Sequence, residues 1–270
     1  MKTDRYRVKP SDPVVLPDWP TSDSDGFDGK KADALPLIDE QSTKLFDLQQ
    51  VLYADNRQKV LIVLQGMDTS GKDGTIKHVF KMVNPLGVKV ANFKRPNDVE
   101  LEHDYLWRVH HNTPRTGEIA IFNRSHYEDV LVVRVHDLVP KDVWQKRYDQ
   151  IRHFEQMLAD EGTVIRKFFL HISRDEQRRR LEERLGNPAK HWKFEHGDIE
   201  ERKYWDGYID AYEEAISRTS TADAPWYVIP SDKKWYRNLL ISTVLVETLE
   251  SLELRYPEPK ADLAGIKIDP

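Results

Sequence analysis

The chain has 270 residues and a formal net charge of -5, which argues against a general nucleic-acid-binding protein because such proteins take most of their affinity from a basic surface. It contains no cysteine, which excludes disulfides, thiolate metal sites and cysteine nucleophiles and leaves carboxylates, histidines and phosphate oxygens as metal ligands. Because no apolar run approaches the roughly 20 residues that span a bilayer and the first residues lack a signal-peptide pattern, we expect a cytoplasmic protein without a membrane partner.

Residues 1–44 are rich in Asp, Pro, Ser and Gly and show no sustained periodicity, which favours a flexible or surface-draped arm that is partly extended. From about residue 39 to residue 55, Leu45, Leu48, Val51 and Leu52 recur at helical spacing, so we expect an amphipathic helix that leads into the core. The prediction is an arm over residues 1–44, one domain over residues 45–257 and a tail over residues 258–270.

Continuous apolar runs predict strands at residues 59–65, 88–93, 118–122, 164–172 and 226–229, with helical stretches between them. Ser173 and Glu176 have the spacing of a helix N-terminal cap directly after the fourth strand. Alternating strands and helices predict a three-layer αβα fold with a parallel sheet.

The first strand leads into a glycine-rich turn that matches the phosphate-binding pattern G-x-x-x-x-G-K, with a helix after it. Such a turn aims backbone N–H groups at phosphate oxygens, and the lysine adds a full positive charge. The predicted phosphate-binding residues of this P-loop are Gly66, Asp68, Thr69, Ser70, Gly71, Lys72, Asp73 and Gly74. Asp73 stands where a magnesium-binding Ser or Thr usually follows the lysine, which puts ordinary use of ATP as donor in doubt, and Asp68 is the candidate replacement ligand.

The third predicted strand ends in Asn123 and Arg124, and Glu128 and Asp129 follow closely. Because the carboxyl ends of parallel strands form the ligand crevice, these four residues should face the phosphates held by the first loop. Arg124 is a predicted catalytic and phosphate-binding group, and Glu128 and Asp129 are candidate metal ligands. Asp129 could equally be a first-turn acid that interacts with the helix dipole.

A basic helix and a charged segment over about residues 178–203 are typical of a lid that closes on a phosphate site. Arg180 and Arg184 lie four residues apart on one helix face, so we expect them to stabilise a transferring phosphoryl group together. Lys190 and Lys193 are the candidate phosphate ligands of the lid. Four further cations could form a groove for a long polyanion: Lys77, Lys81, Lys94 and Arg95.

Taken together, these motifs resemble the polyphosphate kinase 2 family over about residues 45–254. The stretches that carry the resemblance are residues 66–74, 93–96, 122–127, 171–177 and 225–226, with Glu102, His103, Asp104, Leu106, Trp107, Arg108, Arg180, Pro188, Lys190, Trp192, Lys193, Asp232 and Lys233. Many members have Asp in place of Asn123 and Asn in place of Glu128. The segment from Asn123 to Asp129 is similar to the class III subgroup, which phosphorylates both AMP and ADP.

The resemblance implies a P-loop kinase domain of the thymidylate-kinase-like fold with a helical lid, polyphosphate as donor, and AMP and ADP as acceptors. It also implies Mg²⁺ as cofactor, with Mn²⁺ as a possible substitute, a reversible reaction, and a homo-oligomer that is a dimer or a tetramer. In that reading Lys72 holds donor phosphates and Asp68 binds the metal. Two alternatives stay open: an ATP-dependent nucleotide or small-molecule kinase on the same fold, and a nucleotide-sensing protein that retains the P-loop without catalysis.

Overall fold

The computed structural model describes residues 1–194, 196–259, 266 and 268 of the chain. Within them, the strands are β1 (Lys59–Gln65), β2 (Val88–Asn92), β3 (Ile119–Asn123), β4 (Thr163–His171) and β5 (Trp226–Pro230). The α-helices are α1 (Lys31–Asp55), α2 (Lys72–Val79), α3 (Asp98–Leu101), α4 (Trp107–His110), α5 (Glu128–Val135), α6 (Lys141–Asp160), α7 (Arg174–Leu185), α8 (His196–Glu201), α9 (Trp205–Thr219) and α10 (Lys234–Glu250). Every predicted strand is present, and each end lies within one residue of its prediction.

The strands form one sheet in the order β2-β3-β1-β4-β5, and every neighbouring pair is parallel. Strand β1 lies at the centre, with Val60 opposite Ile119 of β3 and Val164 of β4. Parallel sheets of this kind are covered on both faces, which explains why β1 reads as an unbroken apolar run. The predicted three-layer αβα fold with a parallel sheet is confirmed.

Successive side chains of β1 supply two separate cores. Leu61 and Val63 belong to the core on the face covered by α5, α6 and α9, whereas Ile62 and Leu64 belong to the core under α1 and α10. All four side chains are almost fully buried. This alternation follows from the two-residue period of a strand, and it fixes the direction in which the P-loop leaves the sheet.

The N-terminal arm packs on the core, which differs from the flexible or surface-draped segment that its composition favours. Tyr6, Val8, Val14 and Leu16 are each at most 5% exposed, and the backbone N–H of Val8 donates to the Trp226 carbonyl at 2.9 Å. The arm thereby covers the open edge of β5, a common way of protecting an edge strand. Its apolar residues escaped sequence analysis because their spacing follows neither a helical nor a strand period.

Helix α1 begins at Lys31, well before the predicted start near residue 39, so the predicted domain boundary at residue 44 falls inside a helix. The predicted cap of α7 is confirmed, because the Ser173 hydroxyl accepts the Glu176 N–H at 3.1 Å. The predicted tail over residues 258–270 lies outside the described residues except for 258, 259, 266 and 268. In the described part of the chain, no helix has both the length and the apolar character needed to cross a membrane.

Candidate active site

The P-loop joins the end of β1 to the start of α2 through a backbone that only certain residues adopt. Gly66 and Gly71 have φ of 150° and 108°, and Thr69 has φ of 63°. A Cβ atom on Gly71 would lie 1.9 Å from Nη1 of Arg237, so that position requires glycine for two reasons. The predicted strand, glycine turn and helix are therefore present in the arrangement that holds phosphate.

Lys72 is the first residue of α2, and its ammonium group turns back over the loop. It donates to the Gly66 carbonyl at 2.6 Å and contacts the Met67 carbonyl at 3.4 Å. Burial lowers the pKa of Lys72 to about 8, with the Arg124 guanidinium adding to the effect. A phosphate bound beside this lysine would supply the negative charge that restores its usual pKa.

Two arginines lie beneath the loop and hold its carbonyl groups. Nη1 of Arg180 donates to the carbonyls of Thr69 and Ser70 at 2.8 and 2.9 Å, and Nη2 donates to the Ser231 carbonyl. Arg180 is 5% exposed, so the expectation that it reaches a transferring phosphoryl group from the lid does not fit its position. Its guanidinium donates to these backbone oxygens and to the Glu176 carboxylate at 2.7 Å, and we assign it to positioning the P-loop.

Arg237 is the second of these arginines, and sequence analysis missed it. It is 2% exposed, donates to the Ser70 carbonyl at 3.1 Å and to the Asn238 side chain at 2.9 Å, and has no carboxylate contact among the described residues. Burial, with the Arg180 charge adding to it, lowers the pKa of Arg237 to about 9. The available signal was an arginine beside the apolar residues of α10. A buried arginine without an acidic partner is costly, so its presence suggests an anionic ligand nearby.

The end of β3 brings the second predicted cluster to the P-loop. The amide of Asn123 donates to Asp73 Oδ1 at 2.9 Å and to Asn92 Oδ1 at 2.8 Å. Arg124, with φ of 61°, forms an ion pair with Asp68 Oδ1 at 3.2 Å. These residues meet because β1 and β3 are adjacent parallel strands that end at the same edge of the sheet.

Glu128 and Asp129 begin α5 but face different neighbours. Glu128 is close to Lys72, Arg124 and Asp68, and burial raises its pKa against the opposing effect of the two cations. Asp129 is instead held by Arg147 of α6, whose Nη1 lies 3.2 Å from its carboxylate, and burial raises its pKa to about 6. Consecutive helical residues point about 100° apart, so Asp129 faces Arg147 and not the neighbours of Glu128, and its assignment as a metal ligand stays a prediction.

The predicted lid begins within α7 and continues through a 3-10 turn (Pro188–Lys193) and α8. Arg184 lies 3.3 Å from Asp198 Oδ2, and Lys190 pairs with Glu183. Trp192 on the same segment is 78% exposed. Arg184 and Arg180 do face one cleft, as their spacing predicts, whereas the side chain of Lys193 lies outside the described residues.

The P-loop, the end of β3 and the lid enclose one cleft of about 1290 Å³. Among the described residues that line it are five acids, Asp39, Asp68, Asp73, Glu183 and Asp198, and ten cations, Lys72, Lys81, Lys94, Arg95, Arg124, Arg180, Arg184, Lys190, Lys234 and Arg237. An excess of cations in the cleft of an acidic chain marks a site for a strongly anionic ligand.

Three of the four predicted groove residues, Lys81, Lys94 and Arg95, line this cleft. Lys77 does not, because it points from α2 into solvent. The Thr69 side chain also lines the cleft, and its buried hydroxyl has no hydrogen-bond partner within the described residues. A buried hydroxyl of this kind is a ready donor to a phosphate oxygen.

A buried polar network supports the turn between β3 and α5, and sequence analysis missed it. Lys167 of β4 donates to the Tyr127 hydroxyl at 2.9 Å and to the Thr219 carbonyl at 2.8 Å, and it pairs with Glu155 of α6. His126 contacts the same carboxylate through Nε2 at 3.1 Å. The network holds the segment that carries Arg124 and Glu128 against the sheet, and no local pattern reveals it because its members come from β4, α6, α9 and the turn between β3 and α5.

The described residues offer no group of three or more His, Cys, Asp or Glu side chains that would enclose a metal ion. The donors near the P-loop are the carboxylates of Asp68 and Asp73, and the Asp68 side chain is 27% exposed towards the cleft. This donor set fits a hard divalent cation that takes most of its ligands from phosphate oxygens and water.

Comparisons with known proteins agree with the family that the sequence motifs resemble. The sequence model of the family Polyphosphate kinase 2 matches residues 29–257. The AMP/ADP-polyphosphate phosphotransferase of Meiothermus ruber is 58% identical over 98% of this chain and 99% of its own length. The ADP-polyphosphate phosphotransferase of Rhodopseudomonas palustris is 48% identical over 96% of this chain and 93% of its own length.

Solved structures agree with these relatives. The crystal structure of Polyphosphate Kinase 2 from Arthrobacter aurescens superposes with a TM-score of 0.94 at 40% identity and covers 97% of this chain and 94% of its own. A putative polyphosphate kinase 2 from Pseudomonas aeruginosa superposes with a TM-score of 0.80 at 28% identity, over 85% of this chain and 49% of its own.

Proposed function

Because the chain belongs to the polyphosphate kinase 2 family, we propose that it transfers the terminal phosphoryl group of polyphosphate to AMP and to ADP. The observation that carries the proposal is the cationic cleft that opens onto a P-loop with Asp73 in place of a metal-binding Ser or Thr. A cleft with ten cations suits a polyanion better than a single nucleotide donor. The printed name of the Meiothermus ruber relative supports both acceptors.

In the proposed reaction an oxygen of the acceptor's last phosphate attacks the terminal phosphorus of polyphosphate. The new P–O bond forms as the bond to the bridging oxygen breaks, and that oxygen leaves with the shortened chain. ADP is thereby converted to ATP, and AMP to ADP. One phosphoanhydride bond replaces another, so the reaction runs in both directions.

The chain's own residues act by position and charge, because phosphoryl transfer needs little covalent chemistry from the protein. The loop N–H groups and Lys72 hold the donor's terminal phosphates, and Arg124 lies on the acceptor side beside Glu128. Phosphotransferases of this family generally need a divalent metal, which neutralises charge on the phosphate oxygens. We propose Mg²⁺, held by Asp68 and replaceable by Mn²⁺, since both ions favour oxygen ligands.

We also propose a homo-oligomer, either a dimer or a tetramer, that works in the cytoplasm where adenine nucleotides are plentiful. Leu86 and Val90 beside the edge strand β2, and Leu101 of α3, are 69%, 43% and 66% exposed. Apolar side chains clustered at a sheet edge are typical of a surface that another subunit covers. Light scattering coupled to size-exclusion chromatography measures the assembly.

The function is tested by incubating the protein and Mg²⁺ with AMP or ADP, using polyphosphate or ATP as donor, and separating the nucleotides by chromatography. Product from polyphosphate with both acceptors is the expected result. Product from ADP alone would remove AMP as a substrate. Product only when ATP is the donor would replace the proposal with an ATP-dependent kinase on the same fold.

A further inference from the structure

This inference rests on the proposed function. It concerns the direction in which the donor chain leaves the P-loop. Attacking and leaving oxygens lie roughly in line in phosphoryl transfer, so the leaving chain extends away from the acceptor. The P-loop follows the central strand β1, with β3 on one side and β4 and β5 on the other. The proposed function puts the acceptor beside Arg124 on the β3 side, so the remaining polyphosphate would lie on the side of β5 and α10.

A branch of the cleft opens on that side, between α2, the start of α10 and the start of α1. We call it the α2–α10 branch, and its charged or titratable members are His78, Lys81, Lys234, Arg237 and Asp39. Gly74 faces Arg237, with a Cβ position 3.5 Å from Nη2. The branch thus combines cations from the start of α10 with Lys81 from the segment after α2, as the phosphates of a chain would require.

The outer end of the branch carries opposed charges. Asp39 of α1 pairs with Lys81, which lies two residues beyond the end of α2, a helix that is itself about 12 Å long. The side chains of Lys81 and Asp39 are 40% and 71% exposed. An exposed ion pair contributes little to stability, so a phosphate that reaches this point displaces the Asp39 carboxylate from Lys81 and then lies beside an acid that repels it.

We propose that the polyphosphate chain runs from the P-loop along the α2–α10 branch and that the Asp39–Lys81 pair at its outer end sets the preference between short and long chains. A short donor fills the inner part of the branch and does not reach the pair. A long donor exchanges Asp39 for its own phosphate on Lys81. Asp39 therefore lowers the affinity for long chains selectively, and Lys81 raises it.

The test measures KM for tripolyphosphate and for long-chain polyphosphate with saturating ADP and Mg²⁺. D39N should lower the ratio of the long-chain KM to the tripolyphosphate KM by about threefold, and K81M should raise that ratio by about threefold, which is the scale of an exposed ion pair. K77M is the matched control, because it removes an equal charge from α2 outside the cleft and should leave the ratio unchanged. All three side chains are exposed, so the variants should fold.

An unchanged ratio in both D39N and K81M would overturn the proposal, as would equal changes for the two donors. A ratio that instead responds to K94M would place the long chain on the β2 side of the cleft and would also overturn it. Failure of the proposed function is a separate result, because the wild-type protein would then transfer no phosphate from either polyphosphate donor before any variant is compared.

Discussion

The P-loop and the lid both present cations to the same cleft, but they hold them in opposite ways. Lys72, Arg180 and Arg237 contact backbone carbonyls, and the two arginines are at most 5% exposed. In the lid, Arg184 and Lys190 contact carboxylates, and the Lys190 and Glu183 side chains are each 40% exposed.

This difference separates a preassembled part of the site from an adjustable one. Among the described residues, Arg180 is the side-chain donor to the carbonyls of Thr69 and Ser231, so moving it would leave polar groups unsatisfied at a cost of about 1–3 kcal/mol each, whereas the Ser70 carbonyl accepts from both Arg180 and Arg237. Exposed ion pairs contribute about 0–1 kcal/mol and exchange readily with phosphate or salt. We therefore expect the P-loop to be ready before the donor binds and the lid to reorganise around it.

The largest effect is expected from K72A, which removes the charge at the centre of the preassembled part. The value of kcat/KM for polyphosphate should fall by at least about 10³-fold, the scale of losing a charged group that contacts the transferring phosphoryl group. Stability should fall by only about 1 kcal/mol, because the loss of two hydrogen bonds to loop carbonyls is offset in part by removal of the desolvated Lys72 charge. Thermal unfolding checks the fold, and near-normal turnover would contradict the role of the loop.

A direct comparison of the two regions comes from R180M and R184M. R180M leaves the carbonyls of Thr69 and Ser231 without their donor and the Ser70 carbonyl with Arg237 alone, so it should lower kcat/KM by about 10²-fold through a misplaced loop and reduce the free energy of unfolding by about 1–3 kcal/mol. R184M should lower kcat by less than about tenfold and reduce the free energy of unfolding by at most about 1 kcal/mol, since its ion pair with Asp198 is partly exposed, at 24% and 16% of the two side chains. Initial rates and chemical denaturation measure both, and equal losses in the two variants would remove the distinction.

The pH dependence sharpens the role of Lys72. With a pKa lowered to about 8, the free enzyme loses this charge as pH rises, and about one tenth of it stays protonated at pH 9. Bound phosphate raises the pKa, so kcat/KM for polyphosphate should fall up to about tenfold between pH 7 and pH 9, while kcat falls less. Calorimetry of tripolyphosphate binding at pH 8 in two buffers should show proton uptake that K72M lacks. A flat profile without uptake would contradict this account.

The smallest effect is expected from K190M in the lid. Its pair with Glu183 is exposed, so kcat should change by about twofold or less and stability should not change. The rates of K190M and of the wild-type protein are compared at several salt concentrations, because salt screening should reduce the difference between them. A loss as large as that of R180M would show that the lid is as preassembled as the loop.

Local sequence was sufficient to predict the elements whose structure depends mainly on their own residues. The run from Lys59 to Gln65 had to be a strand covered on both faces, and the glycine turn after it had to be a loop with positive φ. Neither prediction depends on residues that are far away in the sequence. The packing of Tyr6 was not predictable in this way, because it depends on a contact with Tyr236 of α10, which lies 230 residues away.

The same limit applies within the site. Asp68, Lys72, Asn123 and Arg124 were found because each lies at the end of a strand next to β1 or in the loop itself. Arg237 was missed, and the contact of Asp129 with Arg147 was not expected. Their roles depend on which residue of another helix lies opposite, Ser70 for the first and Arg147 for the second.

The most direct test of the preassembled loop is calorimetric titration of tripolyphosphate and Mg²⁺ into the wild-type protein, R180M and R184M without any acceptor. The account predicts that R184M binds within about threefold of the wild-type affinity, because the partly exposed Arg184–Asp198 pair contributes less than the buried contacts of Arg180, and that R180M binds at least about tenfold more weakly, because its loop carbonyls are no longer held. Equal weakening of the two variants, or normal binding by R180M, would contradict it.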